Sequence, residues 1–189
     1  MKKEIKEFLL ESNAIEGVHG EEALEDALRA WNYISDKSFL TPEVILGTHN
    51  FLLKNLDPRI AGFWRNCDVW IGGKRKIFIS TQLIEEDIKN LIFISEKLLA
   101  WAMDKNDSVK EEVCKILHIA FEKCHPFSDG NGRVFRLIMN WQRIKLNIPI
   151  LLIKADWPQN DGDQKKYYSW FKDGGSGLTE YIKENNIKL

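Results

Sequence analysis

Residues 125–136 read HPFSDGNGRVFR. This stretch combines a histidine, an acidic residue, two glycines around an asparagine, and two arginines three positions apart. Nucleotidyl and phosphoryl transfer need such groups, because a base must free the nucleophile and fixed positive charge must stabilise the developing negative charge. A GNG turn by itself more often has a structural role. In the complete string, however, the acidic residue, the glycines and both arginines all suit the binding of a polyphosphate. We therefore expect a polyphosphate site here.

The individual residues of the string suit that chemistry. His125 titrates near neutral pH, as a general base should. Asp129 offers the hard oxygen ligand that Mg²⁺ takes beside substrate phosphates. Gly130 and Gly132 lack a Cβ atom, so the backbone can approach an anion closely and present its N–H groups.

A helix predicted after Asn131 adds to this site. Its sequence, GRVFRLIMNWQRIKL (132–146), spaces apolar residues as a mostly buried helix does. Its N-terminus would point unpaired N–H groups and the positive end of the helix dipole at the glycine loop. Arg133 and Arg136 lie about one turn apart, so both guanidinium groups can reach one polyphosphate.

The complete string resembles the signature of the Fic (filamentation induced by cAMP) family, H-x-F-x-(D/E)-G-N-G-R-x-x-R. Every defined position matches: His125, Phe127, Asp129, Gly130, Asn131, Gly132, Arg133 and Arg136. Fic enzymes mostly transfer AMP from ATP to a hydroxyl side chain of a target protein. The resemblance implies an all-α Fic fold, a helical bundle with one β-hairpin flap over the active site, and a loop that Phe127 anchors in the core.

The resemblance also implies the roles of the polar residues. His125 would be the general base for the target hydroxyl. Asp129 would hold Mg²⁺ on the α- and β-phosphates of ATP, and Asn131 and Arg133 would contact those phosphates. Arg136 would reach the γ-phosphate.

A second motif lies near the N-terminus. Residues 12–17 read SNAIEG, similar to the inhibitory Fic motif (S/T)-x-x-x-E-(G/N), with Ser12, Glu16 and Gly17 matching. In the family this glutamate pairs with the second arginine of the active-site string, here Arg136, and blocks placement of the γ-phosphate. Carboxylate and phosphate would compete for one guanidinium group. The resemblance thus implies autoinhibition, whereas the alternative is an ordinary helix end with Gly17 at C′.

Two weaker patterns extend the resemblance. Residues 65–80 alternate in part and turn at Gly72 and Gly73, which indicates a hairpin. It is either a surface ribbon or the Fic flap, which docks the target segment as an added strand. The nucleotide-proximal flap positions would be Ile71, Gly72, Gly73 and Lys74. Tyr167 and Tyr168 either pack in the core or match a tyrosine pair that Fic proteins often place near the nucleotide.

Helical periodicity dominates the rest of the chain. Helices are predicted at 2–15, 21–35, 42–56, 81–103, 109–124, 132–146, 163–172 and 177–185. Ser108 and Glu111 predict a capping box at the start of the fifth helix. We expect one Fic domain over residues 1–189, divided into an N-terminal inhibitory helix (1–20), a flap hairpin (61–80) and a catalytic helix-loop-helix (108–146).

Composition fits a compact cytoplasmic enzyme. The chain has 189 residues and 44% hydrophobic residues, enough for one domain core. A net charge of −1 favours neither nucleic acid nor an anionic membrane as a partner. The three cysteines are unpatterned, and residues 1–20 are too charged for a signal peptide. The expected partners are ATP and a target protein that docks at the flap. The sequence leaves open whether the protein forms a homo-oligomer.

The other histidines carry no clear pattern. His118 lies seven residues before the expected catalytic histidine. Together with Cys114 and Cys124 it lacks the paired spacing of structural zinc sites. His19 and His49 have no partner pattern.

Three alternative functions stay open. A Doc-like kinase or another Fic variant would transfer a different phosphate-containing group, although Doc proteins usually have lysine where this chain has Gly132. A de-AMPylase would use Glu16 to orient a water molecule that attacks a modified side chain. A non-catalytic, antitoxin-like regulatory module would bind nucleotide without chemistry, and the intact His125 argues against it.

Overall fold

Helices make up most of the chain. The computed structural model describes residues 3–71, 75–76, 80–156, 162–172 and 177–189. Within these ranges the helices are α1 (Lys3–Ile15), α2 (Glu21–Ser35), α3 (Pro42–Leu53), α4 (Ile84–Ala102), α5 (Asp107–Cys124), α6 (Asn131–Lys145), α7 (Asp163–Ser169) and α8 (Leu178–Glu184). A short 3₁₀ helix at Thr81–Leu83 precedes α4. The expected all-α class is confirmed.

The β structure among the described residues is one short antiparallel ladder. Strand β1 (Trp70–Ile71) pairs with β2 (Arg75–Lys76), with Trp70 opposite Lys76. The expected turn and flap positions at Gly72, Gly73 and Lys74 lie outside the described residues. Among the described residues, the ladder therefore covers residues 70–71 and 75–76 of the expected 61–80 hairpin, and its role as a flap stays a prediction.

The capping residues explain where two helices begin. Thr41 caps α3, because its Oγ1 accepts a hydrogen bond from the N–H of Val44 at 3.2 Å, and Pro42 occupies the first turn. Asn106 caps α5 in the same way, with Oδ1 3.1 Å from the nitrogen of Val109. The capping box predicted at Ser108 is wrong, because α5 begins before it and Ser108 already lies in the first turn.

Helix α6 is the central element of the bundle. Twelve of its fifteen residues are buried, and α1, α2, α3 and α5 all pack against it. The buried residues include the polar side chains Asn131, Arg133, Arg136, Asn140, Gln142 and Arg143. Buried polar groups need partners. Asn140 finds its partner in the main chain of Leu151, accepting from the N–H at 2.6 Å and donating to the carbonyl at 3.1 Å.

Two apolar clusters surround α6. The first joins α1, α2 and α3 to one side of α6 and contains Phe127. The second joins the ends of α4 and α5 to α7 and α8. The loop between α5 and α6 thus rests on the first cluster. No helix in the described part of the chain has the length and apolar content needed to cross a membrane.

Candidate active site

The loop between α5 and α6 has a fixed backbone shape. His125 follows α5 with a left-handed conformation, φ 46° and ψ 58°, which is uncommon for a residue with a Cβ atom. Buried Arg65 holds this turn: its Nε donates to the carbonyl of His125 at 2.9 Å, and its main-chain N–H donates to the carbonyl of Pro126 at 2.8 Å. Since strained backbone persists only where its surroundings hold it, Arg65 is part of the site.

Phe127 and Asn131 close the loop from inside. The Phe127 ring is fully buried, stacked on the imidazole of His49 with centroids 3.8 Å apart and next to Trp64 at 5.1 Å. The Asn131 side chain accepts from the N–H of Phe127 at 3.0 Å and donates to its carbonyl at 2.9 Å. The anchoring role expected of Phe127 fits this geometry. The Asn131 amide is used within the loop, so its main-chain N–H is what remains for a ligand.

His49 supports the loop from α3. Its Nδ1 accepts from the N–H of Gly62 at 2.9 Å, so its Nε2 carries the proton and donates to the carbonyl of Asp129 at 3.1 Å. Burial lowers the pKa of His49 to about 4, so the ring is neutral at physiological pH. Its partners are main-chain atoms far away in sequence, which is why the sequence shows no pattern for His49.

The N-terminus of α6 is a candidate surface for an anion. Gly130 has φ 77°, and a Cβ atom there would lie 2.8 Å from Cδ2 of Leu53. A Cβ atom on Gly132 would collide with the carboxylate of Glu16 and with the guanidinium of Arg136. A side chain at Gly130 would strain the backbone, and one at Gly132 would displace the contact between Glu16 and Arg136. As at any helix N-terminus, the first N–H groups of α6 have no partner within the helix.

Arg133 contributes a buried positive charge to this surface. Its side chain is 3% exposed, and its closest ionic contact is a long one of 3.8 Å between Nη2 and Oδ2 of Asp129. Among the described residues its Nε has no hydrogen-bond partner. Burial lowers the pKa of Arg133, although the group stays charged. A buried guanidinium in the first turn of a helix favours an anion there through its positive charge.

Asp129 faces solvent from the same loop. Its side chain is 67% exposed, and Oδ1 accepts from the N–H of Gly130 at 2.7 Å. The described residues contain no group of three or more histidine, cysteine or acidic side chains placed around a common metal position. One exposed carboxylate suits a metal ion that takes its remaining ligands from water and substrate phosphates, as Mg²⁺ does.

The His125 imidazole is set up as a base. Its Nδ1 lies 3.2 Å from the carbonyl oxygen of Glu122, which can only accept, so Nδ1 carries the proton and Nε2 is the basic nitrogen. Burial lowers the pKa of His125, and the charge of Arg65 acts in the same direction against the Glu122 hydrogen bond. The ring is therefore neutral at pH 7 and can accept a proton.

Arg136 uses all three guanidinium nitrogens. Its side chain is 1% exposed. Nε donates to Oγ of Ser12 at 2.9 Å, and Nη2 donates to the Ser12 carbonyl at 2.9 Å and to Oε1 of Glu16 at 2.8 Å. Nη1 donates to the hydroxyl of Tyr167 at 3.3 Å. The N-terminal motif and the active-site string, more than a hundred residues apart, thus meet at one guanidinium group.

A second acidic side chain lies within the electrostatic reach of Arg136. Burial raises the pKa of Glu122 to about 8, with Arg136 opposing that shift and Glu16 adding to it. Oε1 of Glu122 is buried and has no hydrogen-bond partner in the described part of the chain. Burial by itself lowers the pKa of Arg136, but interactions with Tyr167, Glu16 and Glu122 outweigh it, so the pKa is raised. Nothing in the sequence distinguished Glu122.

The remaining expected residues fall into three groups. Gly17 has φ 68° and ends α1 through its N–H bond to the Ala14 carbonyl, so the motif is a helix end as well as a partner of Arg136. Tyr167 is 3% exposed, whereas Tyr168 is 44% exposed. Of the flap positions only the main chain of Ile71 is described.

Comparison with known protein families agrees with these features. The family model of the Fic/DOC family matches residues 39–142. "Protein adenylyltransferase Fic" of Aedes aegypti is 25% identical over 146 residues, which cover 76% of this chain and 26% of the relative. "Protein adenylyltransferase fic-1" of Caenorhabditis elegans is 28% identical over 114 residues, 59% of this chain and 21% of the relative. The chain therefore spans about a quarter of the length of the curated relatives it matches.

Solved structures show the same fold. A Fic domain containing signaling protein from Bacteroides thetaiotaomicron superposes with a TM-score of 0.70 at 18% identity, covering 98% of this chain and 83% of that one. Fic-1 from Caenorhabditis elegans gives a TM-score of 0.63 at 20% identity, covering 98% and 64%. The family match covers more than half of the sequence and includes the string 125–136, and the chain belongs to the Fic/DOC family.

Proposed function

We propose that this protein is an adenylyltransferase that moves AMP from ATP to a hydroxyl side chain of a target protein, and that Glu16 restrains it. The observation that carries the proposal is the neutral His125, with Nε2 as its basic nitrogen, beside the glycine loop at the N-terminus of α6. The relatives named as protein adenylyltransferases support the same reaction.

The phosphates of ATP would lie on the N–H groups at the start of α6. Arg133 would attract them through its buried positive charge, and Asn131 would contribute its main-chain N–H because its side-chain amide is engaged with Phe127. Arg136 would reach the γ-phosphate. Binding of this kind lowers the barrier mainly by positioning and by placing fixed positive charge where negative charge develops.

His125 would perform the proton transfer. As the hydroxyl oxygen of the target attacks the α-phosphorus, its proton passes to Nε2 of His125. The bond between the α-phosphorus and the oxygen bridging to the β-phosphate breaks, and pyrophosphate leaves. The Arg65 clamp on the carbonyls of His125 and Pro126 keeps the imidazole in place during this step.

Asp129 would hold Mg²⁺ together with the phosphates. Its exposed carboxylate fits that role, because Mg²⁺ is usually held by one or two carboxylates and by substrate oxygens. When bound, Mg²⁺ would neutralise charge on the α- and β-phosphates.

Glu16 would restrain the enzyme by occupying Arg136. Its carboxylate lies next to Gly132 and holds Nη2 of Arg136 at 2.8 Å. A γ-phosphate would compete for that nitrogen and would bring negative charge beside the carboxylate. A hydrogen bond to a charged group contributes about 1.5–3 kcal/mol, which corresponds to roughly tenfold to hundredfold weaker productive binding.

The β1–β2 segment would serve as the flap that docks the target as an added strand. Its support is the connection through Arg65, which precedes β1 and bonds directly to the loop carbonyls of His125 and Pro126. Such a connection keeps the docking strand close to the base. A reducing, cytoplasmic compartment would suit the three unpaired cysteines.

Removal of AMP is the second candidate function. The observation that favours it is the position of Glu16, which is 36% exposed and lies beside the glycine loop while Arg136 engages Oε1. A carboxylate there would orient a water molecule toward an AMP-modified side chain. Incubating a pre-adenylylated target with wild type and with Glu16→Gly tests this, because removal predicts AMP release by the wild type alone.

The position of a radiolabel on ATP tests the proposed transfer. With the Glu16→Gly protein, label in the α-phosphate should appear on a target in a cell lysate, and label in the γ-phosphate should not. The His125→Ala change in the same background should abolish the α-labelling. Transfer of the γ-label would mean a Doc-like kinase, and unchanged α-labelling by the His125→Ala protein would refute the assigned base.

A further inference from the structure

A buried chain of hydrogen bonds leads from Arg136 through Tyr167 to His118. The hydroxyl of Tyr167 on α7 lies 3.3 Å from Nη1 of Arg136 and 3.0 Å from Nε2 of His118 on α5. Nδ1 of His118 lies 3.2 Å from the carbonyl oxygen of Phe135. Arg136, His118 and Tyr167 are all nearly inaccessible to solvent.

One arrangement of protons satisfies every member of this chain. The Phe135 carbonyl can only accept, so Nδ1 of His118 donates to it and Nε2 is left as an acceptor. Arg136 can only donate, so the oxygen of Tyr167 accepts from Nη1 and its own proton goes to His118. Burial lowers the pKa of His118 to about 3, and the charge of Arg136 acts in the same direction, so the imidazole is neutral as this arrangement requires.

Aromatic rings hold His118 in this orientation. Tyr167, Trp170 and Phe171 surround the imidazole with centroid distances of 5.6, 6.3 and 6.0 Å. The imidazole therefore cannot turn without displacing three packed side chains, and its acceptor nitrogen stays aimed at the Tyr167 hydroxyl.

We propose that Tyr167 and His118 are positioning residues that hold the Arg136 guanidinium ready for the terminal phosphate of a nucleoside triphosphate. The other hydrogen bonds of Arg136 go to Ser12 and Glu16, in and just after α1. The bond to Tyr167 uses the remaining nitrogen, Nη1, and its acceptor lies on α7, so it does not depend on α1. It therefore fixes the guanidinium after Glu16 has been displaced, which is when the phosphate must bind. This inference rests on the proposed function.

The difference between ATP and ADP isolates this role. Only ATP carries the γ-phosphate that Arg136 would reach, so mispositioning Arg136 weakens ATP binding and leaves ADP binding unchanged. A general loss of structure would weaken both nucleotides. Deleting the hydroxyl removes one hydrogen bond to a charged group, for which we expect about a tenfold effect.

Dissociation constants for ATP and ADP should be measured by calorimetry in a Glu16→Gly, His125→Ala background, which prevents turnover. Adding Tyr167→Phe should raise the dissociation constant for ATP about tenfold and leave the dissociation constant for ADP unchanged. Adding Tyr181→Phe, which removes a hydroxyl from a buried tyrosine on α8, should change neither. Equal weakening of both nucleotides by Tyr167→Phe, or no change in either, would overturn the inference.

Nitrogen NMR of the His118 ring gives a test without nucleotide. In the wild-type protein at pH 7, we expect a neutral ring protonated at Nδ1. Tyr167→Phe should keep that tautomer and move the Nε2 resonance toward the position of a nitrogen without a hydrogen bond. A proton on Nε2, or a charged imidazolium, would overturn the inference. If this result holds but the protein binds no ATP, the proposed function fails and the hydrogen-bond chain stands.

Discussion

At the scale of single residues, the site depends on the protonation of a few buried groups. A neutral His125 can accept a proton, whereas a charged one cannot, and Arg65 and burial both favour the neutral form. Arg136 stays charged because a guanidinium keeps its proton at physiological pH, and interactions with Tyr167 and Glu16 raise its pKa further. Glu122 is related to both residues. It lies on α5 three residues before His125, and the charge of Arg136 affects its pKa.

The fall of the transfer rate in acid should have its midpoint below the ordinary histidine pKa of 6.5. Because the pKa of His125 is lowered from 6.5, more than half of the imidazole is still neutral at pH 6.5, and the base is lost by protonation at lower pH. The Glu16→Gly protein should therefore keep more than half of its maximal rate at pH 6.5. Initial rates at saturating ATP measure this, and a half-maximal rate above pH 6.5 would contradict the burial argument.

Glu122 should make stability depend on pH. Its folded-state pKa is raised to about 8, so its favourable contribution is complete below the ordinary value of 4.5 and is lost as pH rises through 8. Relative to wild type, Glu122→Gln should thus gain stability between pH 5 and pH 8, by on the order of 2–4 kcal/mol. Urea unfolding at both pH values measures it. Glu112→Gln on the exposed face of α5 is the control, and an equal pH response in both variants would contradict the assignment.

At the scale of elements, periodicity predicted the helices well and the caps less well. The apolar spacing in the string after Asn131 places α6 almost where it lies, because burial on nearly all sides leaves a continuous apolar pattern. The start of α5 was misplaced because Asn106 and Ser108 are both good capping residues. Which of them caps depends on where the preceding backbone leaves the helical conformation, and at Asn106 it is extended.

The two candidate caps of α5 can be compared directly. Asn106→Ala removes the side-chain oxygen that accepts from Val109 N–H, and should lower the free energy of unfolding by about 1 kcal/mol. Ser108→Ala lies within the first turn and should change it by less than about 0.5 kcal/mol. Chemical denaturation of the two variants decides between them, and the reverse order would restore the capping box predicted from the sequence.

The contact between α3 and the catalytic loop should matter for both stability and activity. His49→Phe keeps a ring against Phe127 but leaves the Gly62 N–H and the Asp129 carbonyl without this partner. We expect a loss of about 2 kcal/mol in the free energy of unfolding and a slower transfer by the Glu16→Gly protein. The same substitution at exposed His19 is the control, and equal effects at the two positions would rule out a specific role for His49.

At the scale of the whole molecule, the candidate site was easier to locate from the sequence than the contacts that support it. The string 125–136 is continuous, so its histidine, acid and arginines could be assigned together. Arg65 and His49 act on main-chain carbonyls far away in sequence, and His118 acts through Tyr167. Such contacts exist only once the bundle has formed, and no local spacing encodes them. Resemblance to a family supplied the Glu16–Arg136 contact, which spacing alone could not.

Under the proposed function, the same long-range contacts would make α1 the regulatory part of the bundle. Ser12 and Glu16 bring three hydrogen bonds to Arg136, and Glu11 adds one to the N–H of Ala155. Displacement of Glu16 by a phosphate would exchange one anion for another at a guanidinium group that remains buried. The enzyme would thus be held inactive by a contact that its own substrate can replace.

The most direct test compares the initial rate of AMP incorporation from α-labelled ATP by wild type and by Glu16→Gly, with Glu16→Gly, His125→Ala as the blank. We predict that Glu16→Gly is at least about tenfold faster than wild type, because one charge-assisted hydrogen bond no longer competes with the γ-phosphate. The blank should show no incorporation. Equal rates for wild type and Glu16→Gly would contradict the account and leave residues 12–17 as an ordinary helix end.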